Sequence, residues 1–202
     1  MAETGLTRPS DWARYALISL AAGFLAIPVH EFGHVIGYRL LGVAATMSYA
    51  REVLPPGESL RFLGVAGGPF LMTLVCFGAI ALIYWKKWLP GAYGVAVVAS
   101  LDRIVLYAMQ WRQLLVLHRP STGMDESRMA LLIGANPFLW YVVFTCAVIV
   151  AWTLIVRALR YGLLRNALVC AIPVLMFVVG SATGIFVVER LLFPQQFHLQ
   201  FG

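Results

Sequence analysis

Two histidines four residues apart, His30 and His34, enclose Glu31 in the run HEFGH. On a helix, positions i and i+4 differ by roughly 40° in azimuth, so both imidazoles reach one ion from the same face. A glutamate directly after the first histidine stands near the open coordination position. There it takes a proton from metal-bound water and later delivers it to a leaving amine. Zinc suits such a site, because it lowers the pKa of its water towards about 7 and polarises a carbonyl. The same pattern also arises by chance on the helices of soluble proteins. Here it follows an almost unbroken apolar run from Trp12, and ionisable groups beside a membrane-embedded helix are costly unless they pair or carry function.

A catalytic zinc site generally has three protein ligands and one exchangeable water, so a third ligand is expected. The candidates are Asp102 in the middle of an apolar segment, Asp125 and Glu126 where another begins, Glu189 near the last segment's end, and His118 and His198 in a connection and the tail. Composition favours Asp102, since a mid-membrane carboxylate is the most expensive placement. Its neighbour Arg103 offers a competing explanation, an ion pair that makes the carboxylate tolerable.

The elements that must position these residues read as membrane spans. Of the 202 residues, 61% are hydrophobic and 12% charged, against about 25% charged in a soluble domain. Mean hydropathy is +0.83. Several apolar runs reach the roughly 20 residues needed to cross hydrocarbon. The first leads from Trp12 through Pro28 to Gly42, one long or kinked helix that stays in the mature protein for want of a cleavage site. Val43 to Arg61 carries Thr46, Ser48, Tyr49, Arg51, Glu52, Pro55, Pro56, Gly57 and Glu58, which suits an extended segment or surface loop. Further spans run from about Phe62 to Trp85, Gly91 to Gln110, Asn136 or Pro137 to Ile155, and Asn166 to Leu192. A helix starting near Asp125 makes the count six if it enters the bilayer on its own.

Gly64 and Gly68 have the small-xxx-small spacing that lets helices approach closely. Pro173, Gly180 and Gly184 are candidate irregular points in the last span. Cys76, Cys146 and Cys170 lie in apolar segments without metal-ligand spacing and read as packing residues. The net charge of +6 comes from basic residues scattered in short connections, as expected near anionic lipid headgroups, and implies no nucleic-acid partner. Those connections carry basic residues on both sides, with a slight preference for a cytoplasmic N-terminus.

HEFGHVIGYRLLGV resembles the first motif of the site-2 proteases, intramembrane zinc metalloproteases in which an HExxH helix ends in glycine and an apolar residue. AGGPF, Ala66 to Phe70, is similar to the AGP motif that opens the family's next helix, and MDESR, Met124 to Arg128, resembles its LDGGR or MDGGR. The aspartate of that motif is the family's third zinc ligand, which points to Asp125. Pro120 matches the proline of the family's NxxPxxxxD pattern. Leu117 stands where the family has an asparagine that helps position substrate, and Glu126 and Ser127 replace two glycines. The likeness covers about Leu17 to Leu132.

The resemblance implies an all-α polytopic membrane protein of five or six segments with a three-helix zinc core and a short extended or β segment after the first helix. Residues 1–202 form one domain, with a catalytic core over 12–132 and additional membrane segments over 133–192. One zinc ion is held by His30, His34 and Asp125, and Glu31 assists hydrolysis of a membrane-protein substrate in the lipid bilayer, in a cell membrane of bacterial type. An extended substrate can pair with an edge in Val43 to Arg61. The alternatives are a zinc amidohydrolase acting on a non-peptide substrate and a noncatalytic metal-binding regulatory protein. A purely structural site has no use for Glu31.

Overall fold

In the computed structural model, which describes residues 6–86, 90–117, 124–136, 138–159 and 162–201, the first apolar run forms a single helix, α1, Pro9–Leu40. Pro9 opens it where a missing amide hydrogen costs nothing, and Asp11 accepts the amide of Arg8 at 2.9 Å. Two minimal strands follow, β1 Thr46–Met47 and β2 Glu52–Val53, paired antiparallel with Thr46 opposite Val53. The remaining helices are α2 Phe62–Trp85, α3 Pro90–Leu117, α4 Asp125–Leu132, α5 Phe138–Ala158 and α6 Leu163–Thr183. A π-helical turn, Gly184–Glu189, links α6 to the short α7, Arg190–Leu192, and α8, Pro194–Phe201, closes the chain.

Five of these helical stretches are long and apolar enough to cross a membrane: Pro9–Leu40, Phe62–Trp85, Pro90–Gln113, Phe138–Ala158 and Leu163–Leu192. Among the described residues, five helices and not six have membrane length. Helix α4 has 8 residues, about 12 Å at 1.5 Å per residue, against roughly 30 Å of hydrocarbon. The third span also extends past the expected Gln110, to Leu117.

Helix α1 is the centre of the bundle, packed against α2, α3 and α6. It meets α2 backbone to backbone: a Cβ on Gly33 would collide with the carbonyl of Gly67, and one on Gly67 with the carbonyl of Gly33. Without side chains there the two helices come together, at Gly33 and Gly67, whereas the expected pair Gly64 and Gly68 faces the side chains of Tyr38, His30 and His34. The main core fills the space between α1, α2, α3, α5 and α6 with Tyr15, Met72, Ile80, Tyr93, Val97 and Ile155. Cys76 is buried in it as a packing residue.

Prolines inside the spans leave carbonyls to be satisfied, and tyrosines from neighbouring segments do so. Pro28 removes the donor that Phe24 O would use, yet α1 runs through it without interruption. The hydroxyl of Tyr49, from the loop before β2, donates to Phe24 O instead. Pro173 likewise deprives Val169 O, which accepts from Tyr15 Oη at 2.7 Å. Helix α6 is regular through Pro173 and Gly180, and its irregularity begins at Gly184. A Cβ on Gly184 would overlap the Tyr49 ring, so this turn is built around that side chain.

Candidate metal centre

The HEFGH segment lies in the last third of α1, with His30, Glu31 and His34 all buried. His30 Nε2 and His34 Nε2 are 3.0 Å apart. Helix α4 brings Asp125 to them from a segment 95 residues away, with Oδ2 at 3.1 Å from His30 Nε2 and 3.4 Å from His34 Nε2. Three donor atoms of the types zinc favours thus converge on one point. Glu31 offers a carboxylate oxygen within 4.8 Å of the histidine nitrogens.

Several observations test whether a divalent ion suits these residues. His34 Nδ1 is 2.9 Å from Gly64 O. A carbonyl only accepts, so the proton lies on Nδ1 and the Nε2 lone pair is free, the arrangement typical of a metal-ligating histidine. Gly68 faces the same point: a Cβ on it would stand 2.7 Å from His30 Nε2 and closer to His34 Nε2. The absent side chain leaves a cradle in front of both nitrogens. Glu31 Oε2 is buried without a hydrogen-bond partner in the structure. Acidic side chains also predominate around the centre: Glu31, Glu52, Asp102, Asp125 and Glu126 gather there with Arg103 and Arg128. A dication would offset that excess. The donor set, the cradle and the charge balance fit a metal ion.

Curated proteins, solved structures and protein-family profiles give no match to this chain. The geometry therefore carries the functional reading, with the motif resemblance beside it.

The competing third-ligand candidates are placed elsewhere. Asp102 Oδ2 lies 3.5 Å from Arg103 Nε, the ion pair its neighbour suggested. Glu126, wholly buried, accepts from Tyr107 Oη at 2.7 Å and pairs with Arg103 Nη1 at 3.4 Å. Glu189, also wholly buried, accepts from Ser48 Oγ at 2.6 Å and from the amide of Ala50 at 3.2 Å, tying the strand loop to the π turn. The side chains of His118 and His198, like Pro120 of the motif register, lie outside the described residues.

Burial alone would raise the carboxyl pKa of Asp125, but the two histidines, through hydrogen bonds and charge, hold it well below the usual carboxylate range. Glu126 behaves oppositely. Its burial pushes the pKa up, against the pull of Arg103 and the Tyr107 hydroxyl.

Two groups at this centre escape a reading of sequence alone. Glu52, on β2, adds a carboxylate whose charge acts on Glu31 and which lies 3.8 Å from Arg128 Nη1. Nothing in its sequence surroundings separates it from other charged loop residues. Arg103 points Nη2 into the centre, 3.0 Å from His30 Nε2 and 3.7 Å from Asp125 Oδ2. Its signal was present as a charge in the middle of a span. A cleft of about 630 Å³ is lined by Glu52, Val53, Leu54, Arg128 and Gln196 among others.

Proposed function

We propose that this protein is a zinc-dependent endopeptidase of the site-2 protease kind, hydrolysing a peptide bond of a membrane-protein substrate at or within the bilayer. The observation that carries the reading is the convergence of His30 Nε2, His34 Nε2 and Asp125 Oδ2 beside the buried, partly unpaired carboxylate of Glu31. Zinc bound by these three residues would activate water and polarise the scissile carbonyl. Glu31 takes a proton from the attacking water as its oxygen bonds to the carbonyl carbon. The same proton then goes to the amide nitrogen as the C–N bond breaks. His34 is held in its ligating tautomer by Gly64 O.

A helical substrate hides its peptide bonds in its own hydrogen bonds and must unwind to present one. Strand β2 has β1 on one side only among the described residues, and its Glu52 and Val53 line a cleft together with Arg128, three residues after Asp125. An unwound segment can pair along that free edge, with backbone bonds supplying affinity. The five membrane-length helices favour a substrate met in the plane of the bilayer.

The test is purification in detergent, metal analysis, and incubation with a panel of single-pass membrane proteins whose products are read by mass spectrometry. The expected result is about one zinc per chain and new peptide termini, both lost in His34→Ala and Asp125→Ala. Glu31→Gln should keep the zinc and lose cleavage. A Glu31-dependent product from a lipid-linked amide, with none from proteins, would support the amidohydrolase. Zinc without any Glu31-dependent turnover would support a noncatalytic metal-binding protein.

A further inference from the structure

Arg103 is a cation 5% exposed in a helix long and apolar enough to cross a membrane. Such a group is retained where its charge is matched or used. Three carboxylates match it: Asp102 at 3.5 Å from Nε, Glu126 at 3.4 Å from Nη1 and Asp125 at 3.7 Å from Nη2. Glu126 is itself fixed by Tyr107 Oη at 2.7 Å. Asp102 and Glu126 lie behind the guanidinium, whose Nη2 faces the His30 ring, 2.5 Å from Nδ1 and 3.0 Å from Nε2. Nη2 is thus the guanidinium nitrogen nearest the proposed zinc ligands, between the His30 ring and the Asp125 carboxylate.

Addition of water to a peptide carbonyl builds negative charge on the carbonyl oxygen, and a preorganised donor in a dry site stabilises that charge strongly. Leu117, at the place of the substrate-positioning asparagine in the resembled motif, has no polar group to offer. We propose that Arg103 is a catalytic residue whose Nη2 binds the carbonyl oxygen of the scissile peptide and stabilises the charge that forms as water adds, Glu126 and Asp102 being its positioning residues. This role rests on the endopeptidase reading. The planar fork of arginine suits it, because Nη1 stays on Glu126 while Nη2, held in the same plane, meets the substrate.

Truncating Arg103 alone leaves Glu126 buried without its cation and risks misfolding, so two variants are needed. They are Arg103→Lys, and Arg103→Met combined with Glu126→Gln. Zinc content is measured on each. Binding of inorganic phosphate, a tetrahedral anion, to the zinc-loaded proteins is measured by calorimetry, and kcat and KM on a cleaved protein substrate are compared with wild type. For the double variant the expected result is unchanged zinc stoichiometry, phosphate affinity reduced at least about 30-fold, and kcat reduced about 10²–10³-fold with KM within about threefold. Arg103→Lys should fall between. Unchanged phosphate binding, or a kcat loss that tracks loss of zinc, would overturn the assignment. Wild-type protein without Glu31-dependent cleavage would sink the endopeptidase reading and this role with it, whereas full-rate cleavage by the double variant would sink the role alone.

Discussion

Tyr15 donates a 2.7 Å hydrogen bond to the carbonyl of Val169, the group that would accept from residue 173 of α6 if that residue were not proline. Both residues are buried, so the bond replaces a helix bond with one that joins α1 to α6. Removing it strands a carbonyl in an apolar environment, at a cost of about 1–3 kcal/mol. Tyr15→Phe should therefore lower unfolding stability in detergent by about that amount. In a Pro173→Ala background, where the helix recovers its own donor, the same substitution should cost much less. A double-mutant cycle on unfolding midpoints checks this, and additive losses would show that Tyr15 does not serve the carbonyl freed by Pro173.

Gly68 stands so close to His30 and His34 that one methyl group would occupy the space before their Nε2 atoms. Alanine is a better helix former than glycine by about 1 kcal/mol, so Gly68→Ala should leave α2 helical. Metal content of the purified variant should nevertheless fall below a tenth of wild type. A variant that binds zinc normally would mean that the ion sits away from this cradle.

Glu189 binds Ser48 Oγ and the Ala50 amide from the π turn and so holds the loop that carries Glu52. Glu189→Ala removes both of these bonds, at an expected cost of about 1–3 kcal/mol. Limited proteolysis should then cut within residues 43–61 much faster than in wild type, while zinc stoichiometry stays unchanged. Equal cutting rates would show that the loop is held by Tyr49 and its other contacts.

An ion that binds only the folded state stabilises it by an amount that grows with the logarithm of its free concentration over the dissociation constant, about 2.7 kcal/mol at a hundred times that constant. Removing zinc with a chelator should lower the unfolding midpoint of wild type and of Glu31→Gln, and adding zinc back should restore it. His34→Ala and Asp125→Ala should not respond to either treatment. Thermal unfolding scans with and without chelator make the comparison.

Local patterns determined much of this protein. Hydrophobic length marked the five membrane-length helices, because crossing hydrocarbon demands a continuous apolar run that no turn chemistry can imitate. The spacing of His30 and His34 placed two imidazoles on one face, because helix geometry relates i and i+4 without reference to the rest of the chain. Other features depended on segments that meet only after folding. Among Asp102, Asp125 and Glu126, all carboxylates at or near apolar segments, composition leaned to Asp102, and only the packing of α4 against α2 and α5 brought Asp125 to the histidines. Glu126 turned instead to Arg103 and Tyr107. Glu52 reached Glu31 because Glu189 and Tyr49 pull its loop against the bundle. Pro28 and Pro173 read as points of weakness, and tertiary contacts made them points of attachment, since a carbonyl freed within one helix is an acceptor for a donor from another.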